Sequence, residues 1–185
     1  LTNPDMFRAV IDRITRFYLR ANEIFFESTK GTLDCVLIGN DFGSQTGLMI
    51  DPDSIREFVF PGTRLLIDQA KSYGVRVMHH SCGSVFPLIE DMISLGADIV
   101  NPVQALAKDM DAQTLHQHYD GRIAFCGGVD AQYLLVNGTP REVRHRVQEL
   151  KNIFPTGLIL SPSHEAILPD IPPENIRAMF QSINS

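Results

Sequence analysis

The residues best suited to chemistry in this sequence are His80 and Cys82, separated by Ser81. Side chains two apart on an extended backbone project to the same side, so an imidazole and a thiolate here face one ion. Zinc takes nitrogen and sulfur ligands tetrahedrally, and a catalytic zinc keeps three protein ligands and one open position. His80 and Cys82 then supply two ligands, and a third comes from another loop, with His164 and Cys126 as the candidates. The plainer alternative makes Cys82 a small buried hydrophobe and His80 a hydrogen-bonded core residue. His79 alternates to the opposite side and reads as structural. Asp41 is placed for proton transfer, or its carboxylate merely stabilises its own loop as an Asx turn. His164 is the second candidate catalytic group, and Gln45, Asn101 and Gln104 are candidate substrate contacts.

These residues have to be carried by something. Apolar residues at 6, 7, 10, 11, 14, 17, 18, 21, 24 and 25 follow one helix face, with Asn3 as N-cap and Pro4 in the first turn, and predict a helix over 4–28. Short apolar runs predict buried strands over 33–38, 75–79, 97–100, 122–126 and 157–160, with Cys35 in the core. Helices are predicted between them: 52–73 with an interruption at Pro61, 84–95, 111–119 and 140–152, and a last one opened by Pro172-Pro173-Glu174. Strands alternating with helices mean parallel pairing through right-handed crossovers. No Gly-rich phosphate loop follows any strand, so a dinucleotide-binding sheet is the weaker choice.

A (β/α)8 TIM-barrel type is the stronger one, with about the last five β/α units present. The expectation is one domain, residues 1–185, forming the C-terminal part of a longer enzyme that starts upstream of Leu1. In such a barrel the reactive groups sit after the strands. Asn40, Asp41 and Gln45 follow the first; His80 to Gly83 the second; Asn101, Pro102 and Gln104 the third; Cys126 to Asp130 the fourth; and Ser161 to Glu165 the fifth. Gly127-Gly128 after Cys126 reads as a tight turn, and Asp130 and Asp170 as helix caps.

Composition narrows the partners. With 16 basic against 22 acidic side chains the formal net charge is −6, without a basic cluster, which argues against nucleic acid and anionic membranes and for a small-molecule substrate. Three scattered cysteines make no disulfide framework and point to a reducing, cytoplasmic compartment. The expectation is a cytoplasmic enzyme, with a homo-oligomer as an open possibility.

At these rim residues the chain resembles the uroporphyrinogen decarboxylase superfamily, which also holds the corrinoid-dependent methyltransferases. The resemblance rests on Gly39-Asn40-Asp41-Phe42-Gly43-Ser44-Gln45, on His80-Ser81-Cys82-Gly83, on Gly127-Gly128-Val129-Asp130, and on Ser161-Pro162-Ser163-His164 through Ile167-Leu168-Pro169-Asp170 to Pro172-Pro173-Glu174-Asn175. In the methyltransferase branch the H-x-C-G turn supplies two zinc ligands, with a cysteine near the last strand as the third; here that strand leads to His164 instead. This likeness implies zinc as cofactor, a methylated corrinoid as donor, a corrinoid protein as partner and a thiol as acceptor. The decarboxylase branch is similar at His164 and Ile167-Leu168-Pro169-Asp170, and implies conversion of uroporphyrinogen III to coproporphyrinogen III in porphyrin biosynthesis, with His164 and Asp41 as contacts. The many carboxylates of that substrate meet few convergent arginines in this sequence. Zinc-dependent methyl transfer is therefore the first expectation, decarboxylation the alternative, and an inactive or ligand-binding fragment a third.

Overall fold

The computed structural model describes residues 2–164 and 166–183. Helix α1 (Pro4–Ser28) begins where the sequence predicts: the Asn3 side chain accepts the Met6 N–H at 3.1 Å, and Pro4 occupies a position whose N–H would have no helical partner. The strands are β1 (Cys35–Gly39), β2 (Arg76–His80), β3 (Ile99–Val103), β4 (Ala124–Val129) and β5 (Leu158–Pro162). All pair in parallel, and their order across the sheet is their order in the chain. A doubly wound sheet reverses order at a switch point. The unbroken progression here is that of a (β/α) barrel, of which the chain forms five consecutive units.

Helical crossovers join each pair of strands. Between β1 and β2 run α2 (Pro52–Ser54), a π-helical turn (Ile55–Val59) and α3 (Phe60–Ser72). The predicted interruption takes the form of that π turn, in which the Phe60 N–H reaches back to the Ile55 carbonyl just ahead of Pro61, which has no N–H to continue the ordinary ladder. A 3-10 turn (Phe86–Leu88) and α4 (Ile89–Leu95) lead to β3, and α5 (Ala112–Tyr119) leads to β4. Then α6 (Leu134–Asn137) and α7 (Pro140–Ile153) lead to β5, and α8 (Pro173–Ile183) packs along α7. The short α6 has no counterpart in the sequence prediction.

The register places Leu37, Met78, Ile99 and Ala124 on one face of the sheet, followed two residues on by Gly39, His80 and Asn101. The opposite face meets the helices, and Val77, His79, Val100 and Phe125 on it are fully buried. The main core lies there, built around Ile55, Leu88, Met92, Leu115, Leu135 and Leu150. On the first face Leu37 is 55% exposed and Ile159 46%. Cys35, expected in the core, opens β1 and is half-buried, with burial pushing its thiol pKa up.

Every strand ends later than its apolar run predicts. The ladder continues through His80, Asn101 and Ser161, because pairing is made by the backbone and does not stop where side chains turn polar. His80 and Asn101 are thereby rigid strand residues rather than loop residues. Cys126 lies within β4, not at its rim, since β4 runs on to Val129.

Candidate metal centre at the C-terminal rim

His80 closes β2 and stands beside Asn101, its register partner on β3. The two side chains meet, His80 Nδ1 lying 2.9 Å from Asn101 Oδ1. A carbonyl oxygen only accepts, so Nδ1 carries the proton and donates it, and in the neutral ring Nε2 presents its lone pair. Nε2 faces Asp41 Oδ1 at 3.2 Å and Cys82 Sγ at 3.8 Å.

Asp41 is brought to this pair by the backbone. Its loop follows β1 and is pressed against the turn after β2 at two glycines. A Cβ on Gly43 would sit 2.6 Å from the Cys82 carbonyl oxygen, and one on Gly83, whose φ is +81°, would sit 2.5 Å from the Gly43 carbonyl carbon. Only residues without side chains allow that approach. Two hydrogen bonds fasten it: the Phe42 N–H donates to Ser81 Oγ at 2.9 Å, and the Ser84 N–H to the Ser44 carbonyl at 2.7 Å. The Cys82 N–H then donates to Asp41 Oδ1 at 2.9 Å. That bond, and after it the neighbouring His80, hold the Asp41 carboxyl below the usual carboxylate range, against partial burial acting the other way. At neutral pH Asp41 is an acceptor with no proton to give.

Ligand atoms of Asp41, His80 and Cys82 thus gather within 4.8 Å of one another. Three electron-rich atoms at this spacing repel unless a cation, a proton or a metal ion, lies among them. Zinc bonds of about 2.0–2.3 Å at tetrahedral angles set neighbouring ligand atoms roughly 3.3–3.6 Å apart. The observed 3.2 and 3.8 Å lie on either side of that range. The donor set of imidazole nitrogen, sulfur and carboxylate oxygen fits a zinc-type ion, with Asn101 holding the histidine ring from behind as outer partners of ligating histidines do.

His164 stands outside this group. Its Nδ1 lies 3.1 Å from Gln104 Nε2, and Gln104 Oε1 accepts from Gln45 Nε2 at 2.8 Å. The structure therefore joins Gln45, Gln104 and His164 to one another, and joins Asn101 to His80. Cys126 is buried and its Sγ lies 3.7 Å from Ser161 Oγ. Asp130 caps the turn after β4, accepting from the N–H groups of Gln132 and Leu134 at 2.8 and 2.9 Å. His79 is buried against Phe42, its ring stacked at 6.3 Å between centroids.

The sequence reading of Asp41 as a proton-transfer group or a loop-stabilising Asx turn does not include its place beside His80 and Cys82. Asp41 and Cys82 are 41 residues apart in the chain, and only the glycine pair in the GND-x-G and H-x-C-G stretches signals the contact. The pairing of Asn101 with His80 is likewise not legible in the sequence, because both lie past the ends of the apolar runs.

Among the described residues no helix is long and apolar enough to cross a membrane. No curated protein matches the chain. Among solved structures it is similar to a methyltransferase from Methanosarcina mazei, with 21% sequence identity and a TM-score of 0.63 over 82% of this chain and 42% of that one. The likeness is one of fold, and the chain spans less than half the length of that protein. The family profile described as Uroporphyrinogen decarboxylase (URO-D) matches residues 1–185, from the first residue to the last. With its parallel strands, its rim of polar residues and that match in hand, the chain belongs to the uroporphyrinogen decarboxylase family.

Proposed function

We propose that the rim group of Asp41, His80 and Cys82 holds a zinc ion and serves methyl transfer to a thiol, with a methylated corrinoid, presented by a partner protein, as the donor. The observation that carries this reading is the convergence of three ligand atoms within 4.8 Å at the strand ends. The similarity in fold to a methyltransferase supports it. Zinc bound there supplies one thing, the deprotonation of an incoming thiol at neutral pH. The chain's own residues do the rest. Asn101 fixes the His80 ring, the Cys82 N–H fixes Asp41, and the ionised carboxylate adds negative charge that retains a cation. In the transfer the thiolate sulfur forms a bond to the methyl carbon, and the bond from carbon to the donor breaks with its electron pair leaving on the donor. The thiol proton passes to solvent at the open rim.

Metal analysis of the purified protein tests this. The expected result is about one zinc per chain, lost in Cys82→Ser. A second reading, decarboxylation of uroporphyrinogen with Asp41 and His164 as polar contacts, is favoured by the family match. Metal-free protein that consumes uroporphyrinogen establishes the second reading and removes the first.

A further inference from the structure

A second polar chain crosses the same rim and uses none of the three proposed ligands. Gln45 follows β1, Gln104 follows β3 and His164 follows β5, so the contacts span loops from three separate strands. Gln45 Nε2 donates to Gln104 Oε1 at 2.8 Å, and Gln104 Nε2 lies 3.1 Å from His164 Nδ1. An amide NH2 is only a donor, so at that distance the imidazole nitrogen must be the acceptor. Gln104 is 3% exposed, which denies its amide replacement by bulk water, and turning it over would set its NH2 against the NH2 of Gln45. Reversal requires both amides to turn together. The Gln45 main chain is held in place as well, its backbone carbonyl accepting the Lys108 N–H at 2.9 Å, which keeps the side chain within reach of Gln104.

We infer that Gln104, oriented by Gln45, is a positioning residue that fixes His164 as the Nε2–H tautomer, so that His164 meets any ligand as a hydrogen-bond donor. A ligand engaging that nitrogen must bring an acceptor such as a carboxylate, a carbonyl or a thiolate. This assignment holds with or without metal at Asp41, His80 and Cys82, and goes beyond the methyl-transfer reading.

The test is the proton position on the His164 ring, read from the nitrogen-15 shifts of the ring nitrogens at alkaline pH in the 185-residue chain. In the wild type Nδ1 carries the lone pair and Nε2 the proton. Gln104→Glu keeps an acceptor for Gln45 but presents a carboxylate to Nδ1, so the ring proton moves to Nδ1. Gln104→Leu leaves a mixture of the two forms. A wild-type ring protonated at Nδ1 overturns the inference without any variant. A Gln104→Glu ring that stays protonated at Nε2 overturns it as well, since a merely space-filling glutamine would leave the tautomer where it was. Zinc content has no bearing on either outcome.

Discussion

In the proposed zinc site His80 acts through the orientation of its ring. The 2.9 Å contact to Asn101 Oδ1 holds Nδ1 and leaves Nε2 toward Asp41 and Cys82. Removing such an outer partner of a ligating histidine costs about 10–100-fold in metal affinity. Asn101→Leu is therefore expected to weaken zinc binding by that factor in a competitive chelator titration while the protein stays folded. An unchanged affinity would show that the ring is oriented by something else. The neighbouring His79 behaves in the opposite way. Burial first, and then the charge of His80, pull its pKa from 6.5 to about 4. Between those two values the unfolded chain binds a proton that the folded chain refuses, so stability falls as pH drops from 6.5 toward 4, by up to about 3 kcal/mol. His79→Phe, which keeps an aromatic ring against Phe42, should flatten that slope in urea titrations run at pH 4.5 and 7. The same slope in the variant would contradict this assignment.

At the scale of elements, the site is an outcome of two strand-end turns pressed together at Gly43 and Gly83. Gly83→Ala adds a Cβ within 2.5 Å of Gly43 backbone and places alanine at φ +81°. The conformational strain alone is about 1–2 kcal/mol, and the collision must also push Asp41 away from Cys82. A lower denaturation midpoint together with weakened metal binding is expected; a variant that melts and binds as the wild type does would mean that the two loops can part without consequence. This contact also marks where the sequence stopped being legible. Helix α1 was readable to the residue because Asn3 and Pro4 are local signals, and α5 and α7 begin within one residue of the predicted starts at 111 and 140. His80 and Cys82 were readable because their spacing is local. Asp41 as their neighbour was not, because two glycines in separate loops determine it. The strand ends were not legible because backbone pairing continues where side chains turn polar, so Cys126 lies three residues short of the rim.

For the molecule as a whole, the sheet has two outer strands, β1 and β5, each paired on one side among the described residues. Leu37 and Ile159 are exposed on those strands, and Met6, Val10, Ile14 and Phe17 are exposed along α1. Open edges flanked by apolar side chains favour pairing with another chain. Sedimentation velocity across a concentration series should show the 185-residue chain associating; a single monomeric species throughout would contradict this. Zinc-edge X-ray absorption of the loaded protein reads the metal centre itself. One sulfur at about 2.3 Å with nitrogen and oxygen neighbours at about 2.0–2.2 Å, the sulfur vanishing in Cys82→Ser, is expected. A zinc shell without sulfur, or one that Cys82→Ser leaves unchanged, would contradict it.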